Sequence, residues 1–261
     1  MVRRQEPMGL EQRRRAIRGL LQEKPQVSVA ELARRFGVSA VTVRADLSAL
    51  DDIGALVRVH GGALPRSESD ELPIDIKQNF HRAEKLRIAA AAAEHIQDGQ
   101  TIILDSGTTT AEIARLIRGL KFQSLNVITN ALNVAVLLAS ASFINLIIPG
   151  GMLRRRSWSL SGPAAESAIR DLQADTLFLG VDSLDPEVGL MTPYVLEAQL
   201  NAKMIGIARK VIAVTDSSKL LRRNLSVISP VDEVDLLITD RKADAKCIEA
   251  IRARGVEVKL V

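Results

Sequence analysis

The hydrophobic positions near the start of the chain recur with the period of an α-helix. Ile17, Leu20 and Leu21 fall on one face of residues 10–23, so we predict an amphipathic helix there, ended by Pro25. The basic residues that fall largely outside this face are Arg13, Arg14, Arg15 and Arg18.

Two further helices are predicted next. Ser28 and Glu31 have the spacing of a capping box, in which each side chain bonds a free amide at the start of a helix, here over residues 29–35. Gly37 ends that helix, because glycine adopts tight or left-handed turns without steric cost. Ser39 is then placed to cap a third helix.

The third helix has the pattern of a DNA-recognition helix. It is predicted to run to about residue 52, with Val43, Leu47 and Leu50 as its buried stripe. Two helices joined by a short glycine turn form a helix-turn-helix, and the first turns of its second helix enter the major groove. There, short polar side chains and arginine reach base edges; Ala40, Thr42 and Arg44 project near this end.

Residues 55–64 alternate around a Gly-Gly pair and predict a β-hairpin, the wing of a winged helix-turn-helix. Arg58 and His60 fall on the same strand face, from which they can reach phosphate or the minor groove. A generic three-helix domain with a solvated hairpin is the alternative. The order of capping box, glycine turn, recognition-like helix and hairpin favours DNA binding.

The rest of the chain has a different pattern. Residues 65–81 begin with the polar, proline-bounded stretch PRSESDELP and predict a linker. An alanine-rich helix is predicted over residues 82–96, after which short β-branched runs alternate with helices. This pattern predicts an α/β domain over residues 82–261 with a mostly parallel, doubly wound sheet, beside the winged domain of residues 1–64. Its strands are predicted at residues 101–104, 126–128, 143–148, 176–179, 211–214 and 236–238.

Nearly every predicted strand ends in Gly, Ser, Thr, Asn or Asp. The carboxyl ends of parallel strands converge on one edge of the sheet, where ligands bind, although turns use the same residue types. The densest cluster, SGTTT at residues 106–110, lies between a strand and a helix, whose amino end offers free amides and a favourable dipole to an anion. We therefore predict a phosphate site at this edge.

Two charged residues complete the predicted site for a phosphorylated polyol. Glu197 is placed to accept hydrogen bonds from sugar hydroxyls, and Lys219 to pair with phosphate as a point charge, although each residue type is more often on the surface. Lys203 and the triplet at residues 154–156 are further candidate anion contacts; a solvated or interface role suits the triplet equally. The candidate effector residues are Asp105, Ser106, Gly107, Thr108, Thr109, Thr110, Thr129, Asn130, Gly150, Gly151, Asp182, Glu197, Lys203, Asp216 and Lys219.

These motifs resemble those of one family. The segment SVAELARRFGVSAVTVRADLSALDDIGALVRVHGGAL resembles the helix-turn-helix signature of the DeoR family of bacterial regulators. The resemblance implies that Ser39, Thr42, Val43 and Arg44 lie on the recognition helix and that the wing contains Arg58, His60, Gly61 and Gly62. The candidate DNA contacts are therefore Ser28, Ser39, Ala40, Thr42, Val43, Arg44, Arg58, His60, Gly61 and Gly62.

The resemblance extends through the second domain. The segments LDSGTTT, VITN, PGGMLR, FLGVD, LEAQLNAKM, VTDSSK and LITD resemble the DeoR sensor domain, whose fold is similar to that of ribose-5-phosphate isomerase and coenzyme A transferases. This implies a sugar phosphate or related metabolite as effector and repression that the effector relieves. FLGVDSLDPEVGLMTP and LEAQLNAKM most resemble the AgaR-like branch, which regulates amino-sugar use.

Charge adds weak support for a polyanionic partner. The first 64 residues hold 11 lysines and arginines against 7 aspartates and glutamates, so they account for the whole net charge of +4. No apolar run approaches the roughly 20 residues that span a bilayer, and no apolar stretch typical of a secretory signal follows the first residues. We therefore expect no membrane partner. The single cysteine, Cys247, cannot form an internal disulfide, so we expect a cytoplasmic protein.

An enzyme is the alternative from another functional class. Asp105, Asp182 and Glu197 include candidate general bases of a sugar-phosphate isomerase, and Lys219 could stabilise an enediolate. However, Lys219 is followed by Leu-Leu-Arg-Arg and lacks the glycine-rich loop of the isomerase. We expect a regulator without cofactor or catalytic activity, acting as a homodimer or homotetramer on double-stranded operator DNA.

Overall fold

The computed structural model describes residues 8–24, 26–52, 55–59, 61–65 and 74–261. The chain divides into two compact units, Met1–Leu72 and Pro73–Val261. No helix among the described residues is long and apolar enough to cross a membrane.

The first unit contains the three predicted helices. Ser28 Oγ accepts a hydrogen bond from the Glu31 amide at 3.1 Å, and Gly37 ends the second helix with a φ of 64°. Ser39 Oγ accepts one from the Thr42 amide, also at 3.1 Å. Both caps and the glycine turn are therefore confirmed. The helices are α1 (Leu10–Glu23), α2 (Val29–Phe36) and α3 (Ala40–Asp52).

An ion pair is buried between α1 and α3. Arg13 Nε donates to Asp46 Oδ2 at 2.5 Å, and Arg14 Nε donates to Asp46 Oδ1 at 3.1 Å. Asp46 is 1% exposed and Arg13 is buried as well. The prediction that Arg13 lies outside the packed face of α1 is wrong, because the buried carboxylate of Asp46 needs a cation beside it.

The wing is a small antiparallel sheet. Its strands are β1 (Val27–Ser28), β2 (Val57–Val59) and β3 (Gly62–Leu64), in the order β1-β3-β2. The hairpin of β2 and β3 was predicted; β1 was not, because two residues are too few to show a period. Gly62 lies opposite Ser28, and a Cβ on Gly62 would lie 2.1 Å from the Val27 carbonyl oxygen, so this strand pairing requires glycine.

The second unit is an α/β domain. Its helices are α4 (Ile74–Lys77), α5 (Arg82–Ala93), α6 (Thr108–Ile117), α7 (Leu132–Leu138), α8 (Pro163–Ile169), α9 (Val195–Ile207) and α10 (Ala245–Ala253). Its strands are β4 (Thr101–Leu104), β5 (Leu125–Ile128), β6 (Ile144–Ile147), β7 (Met152–Arg154), β8 (Ser159–Ser161), β9 (Ala174–Gly180), β10 (Ser183–Asp185), β11 (Gly189–Thr192), β12 (Ala208–Val214), β13 (Ser226–Ser229), β14 (Leu236–Thr239) and β15 (Glu257–Leu260).

Seven of these strands form one parallel sheet in the order β15-β14-β12-β9-β4-β5-β6. All six strands predicted from apolar runs belong to it. Successive residues of β9 alternate between two apolar cores: Leu177 and Leu179 pack in one, and Phe178 packs in the other. The sheet is thus covered on both faces, which confirms the doubly wound α/β prediction.

Short antiparallel strands were missed. β7 pairs with β8, and β10, β11 and β13 form a separate three-stranded sheet. These strands have three or four residues each, which is too short for a clear alternation. The parallel edge strand β15 was also missed.

The predicted linker ends earlier than expected. Ile74 is buried, and its amide donates to the Arg156 carbonyl at 2.8 Å, so α4 is packed within the second unit. The assignment of residues 74–81 to a linker is therefore wrong for α4, because one apolar side chain among polar neighbours gave no periodic signal. Residues 66–73 lie outside the described part. The helix α5 starts at Arg82 as predicted and ends at Ala93, three residues before the predicted end.

Candidate nucleic-acid interface and anion site

The outer face of α3 carries the accessible residues of the helix-turn-helix. Ser39 and Arg44 are exposed, and Ala40 and Thr42 are partly exposed. Among the described residues, Arg44 makes no ion pair, so its guanidinium is available to an external acceptor. Four predicted DNA contacts thus have access to a partner.

Val43 is a correction. It lies on the recognition helix as predicted, but it is 0% exposed and packs with Leu47 and Leu50 in the core of the first unit. A side chain in that position cannot reach a base edge. Sequence reasoning missed Val41 instead, which is 72% exposed and lies three residues before Arg44 on the same helix face. Its place opposite the buried stripe is the signal that could have identified it.

Two hydrogen bonds of Arg58 join the wing to α3. The Arg58 amide donates to Asp51 Oδ1 at 3.2 Å, and Arg58 Nη1 donates to Ser48 Oγ at 3.2 Å. The Arg58 side chain remains exposed. A shallow cleft therefore runs between the recognition helix and the wing. It is lined by Val29, Arg44, Leu47, Arg58, Val59, Gly61 and Gly62.

The two wing glycines differ. Gly61 is exposed with a φ of 84°, and its carbonyl accepts a hydrogen bond from the Val29 amide at 2.8 Å. Gly62 is buried against Val27, so its role is strand pairing and its prediction as a DNA contact is wrong. His60 lies outside the described residues, and Ser28 is occupied as the cap of α2.

In the second unit, the carboxyl ends of adjacent strands bring most of the predicted effector residues to one edge. Asp105 follows β4, Asn130 follows β5, Asp182 follows β9 and Asp216 follows β12. The helix α9 adds Glu197. The convergence predicted for the carboxyl ends of parallel strands is therefore present in the structure.

Asp105 lies at the centre of this edge. It is buried, accepts hydrogen bonds from the amides of Ser106 and Gly180, and faces the Asn201 carboxamide at 3.4 Å. Burial raises the pKa of Asp105 well above its ordinary value, and the nearby charge of Glu197 raises it further. Asp105 therefore keeps its proton to higher pH than a free aspartic acid does.

The loop at residues 106–110 opens α6. Gly107, with a φ of 153°, occupies the cap position, and no side chain in the described part of the chain caps the helix. Thr110 Oγ1 donates to the Gly107 carbonyl at 3.1 Å, while Thr109 is buried. Ser106, Gly107 and Thr108 remain partly exposed, so the amino end of α6 is accessible to an anion.

Three lysines lie near the strand-end carboxylates Asp182 and Asp216. Lys77 Nζ lies 3.1 Å from Asp182 Oδ1, and Lys85 Nζ donates to the Lys77 carbonyl at 2.6 Å. Lys219 lies in the 3₁₀ turn Ser217–Lys219. Asp216 caps this turn, because its Oδ1 accepts a hydrogen bond from the Ser218 amide at 3.1 Å. Only Lys219 was predicted.

The electrostatics of these groups reflect their burial. Burial lowers the pKa of Lys219, and the charge of Asp182 partly opposes that shift. Burial also opposes the ionisation of Asp182, but the charges of Lys77 and Lys219 outweigh it and hold its pKa below the ordinary value. Asp182 is therefore ionised between two cations.

Glu197 is held by the β7–β8 hairpin. It is buried, and it accepts hydrogen bonds from Arg154 Nη1 at 2.5 Å, from Ser157 Oγ at 2.7 Å and from Ser159 Oγ. The Arg154 guanidinium also lies over the Tyr194 ring, 4.6 Å from its centroid. The carboxylate thus has protein donors of its own, and its contact with a sugar hydroxyl stays a prediction.

Asn130 is buried, and neither polar atom of its side chain has a hydrogen-bond partner among the described residues. The side chain of its neighbour Thr129 accepts a hydrogen bond at Oγ1 from the Ala131 amide at 3.1 Å. A buried carboxamide without partners costs free energy, which a ligand with a donor and an acceptor would recover. Asn130 is therefore a strong candidate contact.

Three predicted residues are explained differently. Lys203 is exposed on α9, on the face away from the buried Glu197 and Asn201, and its contact with the effector stays a prediction. Gly150 and Gly151 both have positive φ, and a Cβ on Gly151 would lie 2.6 Å from the Ser161 carbonyl oxygen. Close packing of β7 on β8 accounts for Gly151.

The chain combines a winged helix-turn-helix with an α/β unit that has cations and polar groups at its strand ends. This combination defines a ligand-responsive DNA-binding regulator. Models of the DeoR-like helix-turn-helix domain and of the DeoR C terminal sensor domain match residues 13–68 and 80–241. The chain belongs to the DeoR family of transcriptional regulators.

Two relatives illustrate the placement within the family. The chain is 42% identical to the putative aga operon transcriptional repressor of Escherichia coli O157:H7, over 97% of this chain and 94% of that protein. It is 38% identical to the HTH-type transcriptional regulator GlpR of Haloferax volcanii, over 95% and 96%. The AgaR-like resemblance is confirmed, and the isomerase alternative is not favoured.

A solved structure of D-ribose-5-phosphate isomerase in complex with phospho-erythronic acid is also similar. It covers 54% of each chain at 18% identity, with a TM-score of 0.41. A similarity of this size supports no statement about function.

Proposed function

We propose that the chain represses a carbohydrate-use operon and that a phosphorylated sugar or amino sugar, bound at the strand ends of the second unit, releases it from operator DNA. The observation that carries this proposal is the presence in one chain of an accessible recognition face on α3 and of a cationic site at the sheet edge. The similarity to the putative aga operon transcriptional repressor supports amino-sugar phosphates as the first class of effector to test.

The DNA contacts are proposed from accessibility. Arg44 suits a guanine edge, and the exposed apolar Val41 suits a thymine methyl group. Ser39, Thr42 and Arg58 suit phosphate oxygens, which position a protein on the duplex. Because one recognition helix reads only a few base pairs, we propose that a homodimer or homotetramer presents paired helices to repeated half-sites.

The effector contacts are proposed from charge and pairing. The amides at the start of α6 and the ammonium of Lys219 suit the phosphate group. The unpaired carboxamide of Asn130 suits the hydroxyl or amide groups of the sugar. Binding there would favour a conformation with weaker operator affinity, with a coupling of about 1–3 kcal/mol, or roughly 5–150-fold in affinity.

Fluorescence anisotropy with labelled promoter fragments from the gene's own surroundings tests the proposal. Each fragment is titrated with the full chain at fixed salt, beside a shuffled duplex of the same length, with and without a panel of hexose, amino-sugar and pentose phosphates. We expect one fragment to bind preferentially and one class of sugar phosphate to weaken that binding.

Two results contradict the proposal. One is equal affinity for promoter and shuffled duplex under all conditions. The other is specific binding that no phosphorylated sugar changes. Analytical ultracentrifugation of the same samples measures the assembly, and conversion of any sugar phosphate at an enzymatic rate would favour the isomerase alternative.

A further inference from the structure

Lys85 is a buried cation that neither the predicted site nor the family match explains. It is 5% exposed and lies on the inner face of α5, in helical register with Ile88, Ala89 and Ala92. A lysine on an apolar helix face is costly unless its ammonium has partners. Its position therefore needs a reason.

The protein itself provides one partner. Lys85 Nζ donates to the Lys77 carbonyl at 2.6 Å, which leaves two of its three N–H donors without a hydrogen bond among the described residues. No described carboxylate lies within 4.0 Å of its ammonium. Burial lowers the pKa of Lys85 to about 8, so its charge is poorly compensated.

The surrounding charges are largely engaged elsewhere. The groups that act on Lys85 are Asp216 and Glu112, which favour its protonation, and Lys219 and Lys77, which oppose it. Asp216 caps the turn at Ser218, and Glu112 pairs with Arg115 at 2.6 Å. Lys77 pairs with Asp182. Lys85 and Lys219 are thus two neighbouring cations, neither with a carboxylate in ion-pair distance among the described residues.

We propose that Lys85 is a direct contact for the anionic group of the effector, acting with Lys219, and that its bond to the Lys77 carbonyl links the bound anion to α4. This rests on the proposed function and adds a residue to its binding site. A phosphate or sulfate oxygen would accept the remaining N–H donors of Lys85. α4 is the first described element after residue 65, so the contact joins the anion to the part of the second unit nearest in sequence to the DNA-binding unit.

Sulfate is the suitable probe, because its charge is constant between pH 7 and pH 9. An anion favours the charged form of Lys85, so binding raises its pKa, and affinity falls as pH rises past the pKa of the free protein. If sulfate binds only when Lys85 is charged, we expect the sulfate affinity to fall about tenfold from pH 7 to pH 9. Calorimetry of the full chain measures this at an ionic strength held constant with chloride.

Two variants separate anion binding from a purely structural role. Lys85→Gln is expected to bind sulfate at least about tenfold more weakly at pH 7, with a smaller fall in affinity between pH 7 and pH 9 than the unmodified chain, because only Lys219 then titrates beside the anion. Lys85→Arg retains a charge that does not titrate, so it is expected to keep sulfate binding at pH 7 and to show the same smaller fall up to pH 9. Arg87→Gln, which removes an exposed cation from the same helix, is the matched control and should behave as the unmodified chain.

Equal sulfate affinity and pH profile in the unmodified chain and both Lys85 variants would overturn the proposal, as would no sulfate binding by the unmodified chain. If sugar phosphates release DNA equally from the unmodified chain and from Lys85→Gln, the Lys85 contact is wrong and the proposed function stands. If sulfate binding depends on Lys85 but no sugar phosphate releases DNA, the anion contact stands and the proposed function is wrong.

Discussion

Arg13 and Asp46 are buried together in the first unit, with 2.5 Å between Arg13 Nε and Asp46 Oδ2. The pair joins α1 to the helix that carries the candidate DNA contacts. Asp46 also binds Arg14, so two of the basic residues that suggested a polyanion partner are engaged inside the protein. The basic character available to DNA is correspondingly smaller than the composition indicates.

Removal of Asp46 should destabilise the first unit. We expect Asp46→Ala to lower its free energy of unfolding by about 3 kcal/mol, because Arg13 would remain buried without its carboxylate. Urea unfolding of the full chain, followed by far-ultraviolet circular dichroism, measures this. The control is Lys24→Ala, which breaks the exposed pair of Lys24 with Glu31 and should have a much smaller effect, because solvent screens that pair. Equal effects would show that the buried pair contributes nothing special.

Arg44 should determine operator recognition. We expect Arg44→Ala to abolish the preference for the operator, a loss of about 1–3 kcal/mol or more, while effector affinity stays unchanged. Anisotropy with operator and shuffled duplexes measures the preference. Arg15→Ala removes an exposed arginine from α1 and should retain it. Normal operator binding by Arg44→Ala would show that the recognition helix is wrongly assigned.

Lys219 should be needed for the response to effector and dispensable for DNA binding. Its side chain lies at the sheet edge in the second unit, so Lys219→Ala should bind operator normally and no longer be released by the active sugar phosphate. The same anisotropy assay with added effector checks this. Lys246→Ala, which removes an exposed lysine from α10, should respond normally. A normal response of Lys219→Ala would remove this residue from the site.

Asp105 should make stability depend on pH in a defined direction. Its pKa is raised in the folded chain, so the folded state holds the proton more tightly than the unfolded state. The contribution of Asp105 to stability is fully present below its pKa in the unfolded chain. It is lost as pH rises through its pKa in the folded chain. Asp105→Asn mimics the neutral acid and should be as stable as the unmodified chain at pH 5 and at least as stable at pH 8. Unfolding midpoints at both pH values measure this, and a large loss at both would contradict a neutral Asp105.

The sequence could predict those parts of the fold that depend on residues close together in the chain. The capping serines, Gly37 and the apolar stripe of α3 act within a few residues, so the helix-turn-helix was predicted closely. The central strands were predicted because strands buried on both faces are continuous apolar runs. By contrast, β7, β10 and α4 are three or four residues long and depend on distant partners for their pairing.

The candidate site divides in the same way. Strand-end residues such as Asp105 and Asn130 were predicted because parallel strands converge at one edge. The spacing of the apolar residues placed Val43 in the buried stripe of α3, yet the family resemblance kept it among the DNA contacts. The structure shows that Val43 is in the core and that Val41 is the exposed valine.

By itself, the sequence determined the helix-turn-helix, the six central strands of the α/β sheet that follows it, and the family that the chain resembles, because these depend on short-range pattern. Only the tertiary structure decided that Arg13 is bound to Asp46, that Lys203 faces outward, and that Lys77 and Lys85 join the sheet edge. Such placements depend on burial and on charges many residues apart, and neither property is visible along a chain read in one dimension.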